Sequence, residues 1–274
     1  EVRRAMRGLH RLAPIVGVGL AWWWWRQRRP SLWLQRMQWW VEQRRLRSRL
    51  IERDLVNLEQ IRLIGGVDIS FIKGSETDAC AALVVIDVES LNVVHCSCRR
   101  IVLRAPYIPG FLAFREVEFL LKLLDELRTA APEHAPDAIL VDGNGILHPN
   151  RFGLACHLGV LASIPTIGIG KSLHHVDGLS RDTMRDLAAQ HLHARGDHAH
   201  LVGSSGATWG ALLRTSEPAE GQCKPIIVSV GHGFSLSTAL EVVRRCTRHR
   251  VPEPVRQADL RSRKWLREYG AVDD

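Results

Sequence analysis

The stretch Ile139-Leu140-Val141-Asp142-Gly143-Asn144-Gly145 constrains most tightly what this chain can become. The four positions ending at Asp142 read as a short buried strand, and Gly143 and Gly145 force a turn directly after it. A helix follows near Arg151–Ala162, and then a second apolar run, Thr166-Ile167-Gly168-Ile169-Gly170-Lys171. Strand, helix and strand on such short connections form a βαβ unit, whose strands lie parallel in one sheet. The turn leaves Asp142 and His148 at the strand's mouth, and a carboxylate there needs partners before it can do chemistry.

Upstream, three β-branched runs, Ile61–Phe71, Ala79–Val88 and Val93–Leu103, are joined by short turns and read as an antiparallel meander. Antiparallel signals followed by parallel ones, interleaved with helices, predict an α/β domain with a mixed central sheet. The first run places Asp68 between valine and isoleucine, where a buried carboxylate would need a cation. On this run alone, an Asp on the solvent face of an alternating strand serves equally well. Pro106-Tyr107-Ile108-Pro109-Gly110 is a stiff loop that presents Tyr107 and Ile108 outward. A helix is predicted over Phe111–Ala130, with Glu116 and Glu118 in its first turns, where compensation of the helix dipole already explains an acid.

The remaining segments are read in the same way. Trp39 to Leu58 is helix-like, and 172–200, with six histidines at irregular spacing, reads as a solvated helix and loop. Two strands, Ala207–Arg214 and Pro225–Val230, follow, the second running into Gly231-His232. A helix over Leu236–Arg248 precedes a kinked, proline-containing tail with helix potential. No repeat or linker divides residues 39–265, which are taken as one domain with a tail at 266–274.

Composition adds limits. The 274 residues with 46% hydrophobic content suffice for a buried core. The formal charge of +8 comes from the N-terminus, since residues 1–53 hold 13 Arg against 3 acidic residues and leave 24 basic and 26 acidic residues beyond them. Seven of the nine Trp fall before residue 41, and residues 1–38 contain an apolar run, Ala13–Trp25, that is shorter than the ~18 residues of a membrane span and lacks a small-residue cleavage site. Residues 1–38 are read as an atypical, spurious or unstructured extension, with no membrane role. The six cysteines lie mostly in apolar runs and are read as reduced core residues of an intracellular protein.

Asp68, Glu116 and Asp142 thus come from a strand, a helix start and a strand end, with Lys171 and His232 at two more strand ends. Oxygen ligands without a thiolate suit Mg²⁺, with Mn²⁺ as its substitute, better than zinc. Gly170-Lys171-Ser172 is no phosphate loop, because Pro165 stands where the first glycine would be needed.

The motifs Gly65-Gly66-Val67-Asp68-Ile69-Ser70-Phe71, Ala105-Pro106-Tyr107-Ile108-Pro109-Gly110-Phe111-Leu112-Ala113-Phe114-Arg115-Glu116, Val141-Asp142-Gly143-Asn144-Gly145 and Val228-Ser229-Val230-Gly231-His232 resemble, in order, those of endonuclease V. The closing block Glu253–Arg263 is similar to that of the animal members. The resemblance runs from about Trp40 to Arg263 and implies a ribonuclease-H-like fold. It implies Mg²⁺-dependent hydrolysis of the second phosphodiester 3′ to inosine, in single-stranded RNA or in deaminated DNA. Carried over, Asp68, Glu116 and Asp142 match metal-site positions, with His232 as a more distant member. Lys171 matches a position near the scissile phosphate, and His148 one beside the active centre. Pro106, Tyr107, Ile108 and Pro109 match the wedge that fills the gap left by the turned-out base, and Gly110 and Gly143 line the base pocket. The animal-like tail favours RNA. The expected protein is a monomer in the cytoplasm, with the nucleus or nucleolus as a second location. The rival readings are a DNA repair nuclease, a binder of inosine-containing strands without catalysis, and a small-phosphoester hydrolase.

Overall fold

The structure is a computed structural model that describes residues 32–217 and 224–269. The chain divides between Val41 and Glu42, and the site lies wholly in the unit that begins at Glu42.

The sheet comprises β1 (Leu63–Phe71), β2 (Asp78–Asp87), β3 (Val93–Val102), β4 (Ala138–Asp142), β5 (Thr166–Gly170), β6 (His198–Val202), β7 (Thr208–Leu213) and β8 (Ile226–His232), in the order β3-β2-β1-β4-β5-β8-β7-β6. The parallel pairs are β1 with β4 and β4 with β5, and the other pairs are antiparallel. This is the mixed sheet that the meander and the βαβ signal require. On one face pack α2 (Ala113–Ala130) and α3 (Leu154–Ala162) through Val117, Leu120, Leu124 and Leu158. On the other pack α5 (Leu236–Arg245) and α6 (Glu253–Tyr269) through Leu240, Val243, Val255 and Ala258. Helices on both faces explain why Ala79 to Ile86 of β2 are all fully buried and show no alternation.

Several expectations fail for physical reasons. The N-terminal helix, α1, spans Leu32–Arg47 rather than 39–58. It therefore begins inside the supposed extension; residues 1–31 of that extension lie outside the described residues. Beyond Arg47, Ile51 O accepts the Gly233 N–H (2.7 Å) and Leu55 N–H donates to Gly233 O (3.0 Å), so backbone bonds to the end of β8 replace helical ones. The histidine-rich segment contains α4 (Arg181–His191), capped by Ser180, and also the edge strand β6, whose Ala199 and Leu201 point inward while His198 and His200 face solvent. The tail is not kinked. Pro254 falls in the first turn of α6, where a missing N–H costs no helical bond, and the helix continues through the supposed tail to Tyr269.

Of the cysteines, Cys80, Cys156 and Cys246 are buried, but Cys98 is half-buried and Cys96 exposed, because β3 is an edge strand. These five are free; Cys223 lies outside the described residues. Among the described residues no helix is long and apolar enough to cross a membrane.

Candidate active site

Parallel strands collect their C-terminal ends at one edge. The register pairs Val67 with Val141, so Asp68 and Asp142 stand at the same level on neighbouring strands and, by alternation, on the face opposite those valines. Lys171 follows directly on β5, and its Nζ lies 2.6 Å from Asp142 Oδ2. These three line a groove of about 470 Å³ together with Ile69, Ser70, Phe71, Asp259 and Arg263.

Asp68 is buried. Its pKa is pushed up to about 6, first by loss of water and then by the charge of Asp142, against hydrogen bonds from Ser70 and Ser262. Glu116, in the first turn of α2, is buried as well and pushed up to about 7, first by burial; the Arg115 charge opposes this and the charges of Asp68 and Asp142 add to it. Two buried acids held up by burial and by neighbouring negative charge create a demand for positive charge. With the side chains as they lie, no group of three or more His, Cys, Asp or Glu among the described residues is close enough to hold a metal ion. The donor set is all carboxylate oxygen, which fits a hard divalent cation.

His232 does not belong here. It pairs with Thr166 at the start of β5, four residues or roughly 13 Å from Gly170 at the rise of a strand. There its Nδ1 accepts the Ile51 N–H (3.3 Å), a structural bond that ties the segment after α1 to β8. Position at a strand end was the sequence signal, but β8 runs antiparallel to β5, so its end lies at the opposite edge of the sheet.

A second hollow, of about 120 Å³, lies beside the groove and is lined by Tyr107, Gly110, Gly143, His148, Phe152 and His174, among others. Gly110 adopts φ +82°, which lets the stiff loop turn into α2. Tyr107 is 62% exposed, whereas Ile108, expected outside with it, is half-buried. Pro106 and Pro109 stiffen the loop on either side. Buried Gln43 on α1 anchors this region, donating to Gly110 O (3.2 Å) and Phe152 O (2.9 Å) and accepting from Asn150 Nδ2 (2.7 Å). His148 is buried, and its pKa is lowered to about 4 by burial and by neighbouring His174. Its Nδ1 accepts the Asn150 N–H (3.2 Å), so the neutral ring carries its proton on Nε2.

Asp259, Ser262 and Arg263 were not singled out from sequence. Their spacing of i, i+3 and i+4 places them on one helix face, a signal lost when the segment is read as kinked. Asp259 and Arg263 form an ion pair at 2.8 Å at the groove's edge.

A sheet that gathers buried acids and a lysine at its carboxyl edge, beside a glycine-walled hollow with an exposed tyrosine, defines a phosphodiester-cleaving class of protein. The family model of Endonuclease V matches residues 44–260. The mouse and human Endonuclease V are 45% and 44% identical over 235 residues, 84% of this chain and 69% and 82% of theirs. The crystal structure of the catalytic domain of human Endonuclease V superposes with a TM-score of 0.83 at 41% identity, covering 89% of this chain and all of that one. The Endonuclease V of Ciona intestinalis, in complex with a 24mer DNA containing an inosine followed by a ribo-adenosine, gives 0.77 at 32% identity, over 85% of this chain and 98% of that one. The chain belongs to the Endonuclease V family of nucleases.

Proposed function

We propose that this protein hydrolyses the second phosphodiester 3′ to inosine, chiefly in single-stranded RNA and also in deaminated DNA, with Mg²⁺ as its metal. The observation that carries this reading is the pairing of Asp68, Asp142 and Lys171 in one groove with a Tyr107-rimmed hollow beside it. A divalent cation held by Asp68, Asp142 and Glu116 would draw charge from the phosphoryl group and favour attack by water.

The chain's own residues supply the rest. Lys171 neutralises charge that builds on the phosphate oxygens as the bond from water to phosphorus forms and the bond to the leaving sugar oxygen breaks. Tyr107 stacks in the gap left by a base turned out of the strand, between prolines that keep its loop stiff. Gly110 and Gly143 let backbone approach the flat base. His148, fixed as a donor at Nε2, suits the 6-oxo group of inosine and opposes the 6-amino group of adenosine. The Ciona relative's bound strand, in which a ribonucleotide follows the inosine, supports RNA at that side of the cut.

The test is cleavage of matched inosine-containing RNA and DNA strands, with adenosine controls, in Mg²⁺ and in EDTA, beside Asp142→Ala. Inosine-dependent, EDTA-sensitive cleavage that is lost in Asp142→Ala and faster on RNA is expected. Absence of cleavage on every inosine strand overturns the reading, and binding without cleavage would favour the non-catalytic alternative.

A further inference from the structure

Asp68 is held from behind by a residue 194 positions away in the chain. Ser262, fully buried on α6, places its Oγ 3.0 Å from Asp68 Oδ2 and 2.7 Å from Ser70 Oγ. Ser70 Oγ lies 2.9 Å from the same carboxylate oxygen. Each hydroxyl has one proton to give. Ser262 has another outlet, the Asp259 carbonyl at 2.9 Å, one turn back in its own helix. An oxygen of a buried carboxylate left without a donor is costly, so one hydroxyl bonds Oδ2 directly while the other joins it or feeds the first.

The arrangement depends on how α6 lies along β1. Gly66 has no Cβ, and one built there would overlap the Pro254 carbonyl, so the helix backbone rests directly on the strand. From Pro254 to Ser262 the helix advances about 12 Å, and from Gly66 to Ser70 the strand advances about 13 Å. The two elements stay in step, and the step that starts at Gly66 ends with Ser262 against Asp68 and Ser70.

We propose that Ser262, acting with Ser70, is a positioning residue for Asp68: the two hydroxyls fix Oδ2 and leave Oδ1 as the oxygen that meets a divalent cation. This rests on the reading of Asp68 as a cation ligand. It makes the C-terminal helix part of the site through Ser262 as well as through Asp259 and Arg263.

The experiment is calorimetric titration of the whole chain with Mn²⁺, with cleavage measured across Mn²⁺ concentrations in parallel. Ser262→Ala, and Ser262→Cys, which keeps the size but donates poorly, should each weaken Mn²⁺ binding about tenfold. The Mn²⁺ concentration for half-maximal cleavage should rise to match, and the rate at saturating Mn²⁺ should recover to within about threefold. Ala258→Gly, one turn earlier on the same buried face, should lower the melting temperature and leave Mn²⁺ affinity unchanged. Unaltered affinity in both Ser262 variants, or an equal loss in Ala258→Gly, overturns the proposal while leaving Asp68 as a ligand. If the parent binds no Mn²⁺, or Asp68→Ala binds it as well as the parent, the underlying reading of Asp68 falls, and the proposal with it.

Discussion

Lys171 Nζ and Asp142 Oδ2 lie 2.6 Å apart across the ends of β5 and β4, so the lysine of this groove already rests against one of its acids. The ammonium is 39% exposed and the carboxylate 21%, an arrangement that adds little to stability but leaves both groups within reach of a phosphate. Lys171→Met should therefore fold with an unchanged melting temperature and cleave about 100-fold more slowly at saturating metal, as loss of one preorganised charge does elsewhere. Single-turnover rates measure it; a change below threefold removes Lys171 from the reaction.

The raised pKa of Glu116 has a sign that can be worked out. Without a bound cation, the folded protein holds this proton up to about pH 7, while the unfolded chain releases it near 4.5, the ordinary value for a glutamate. Between those values the folded state binds more protons, so this group's contribution to stability falls as pH rises. Glu116→Gln in EDTA should melt a few degrees above the parent at pH 8, with the difference vanishing near pH 4. Comparing the two proteins cancels the opposite trend from buried His148 and His157, whose lowered pKa values favour the folded state as pH rises. Mn²⁺ should raise the melting temperature of the parent more than that of the variant.

Tyr107 and His148 should separate affinity from selectivity. Tyr107→Ala removes an exposed ring and should leave stability intact while weakening binding of an inosine strand about 10- to 100-fold. His148→Phe, by contrast, should reduce the preference for inosine over adenosine. Fluorescence anisotropy on matched strands reads both, and an equal loss on both bases in His148→Phe would argue against its role as a donor.

Gly66→Ala would drive a methyl group into the Pro254 carbonyl. Because the obstacle is backbone, α6 has to move off β1, with an expected loss of about 3 kcal/mol or more in urea unfolding. Gly65 is crowded only by side chains of Ile139 and Pro136, and Gly65→Ala should cost less.

His232→Asn offers a replacement acceptor for the Ile51 N–H. The variant should lose some stability and keep the rate per folded molecule and the dependence on metal. A loss of metal affinity would return His232 to the site.

Much of this was written locally. The run from Ile139 to Lys171 specified two parallel strands and the helix between them through apolar periodicity and glycine punctuation, and so placed Asp142 and Lys171 at the same edge. Asp68 was left open between a solvent face and a buried site, since a single strand does not reveal what covers it. Strand β6 was hidden because two of its three outward positions are histidines and its inward ones only alanine and leucine, a contrast that becomes visible once β7 pairs with it.

The sequence by itself determined the sheet's parallel centre, Asp142 and Lys171 at its edge and the stiff Tyr107 loop, because strand alternation, glycine turns and proline restraint act over a few residues. The tertiary structure alone decided that His232 stands at the far edge, because strand direction depends on pairing with β5. It also decided that Ser262 and Asp259 join Asp68, since a close approach of backbones at Gly66 sets the register of a helix nearly 200 residues away in the chain.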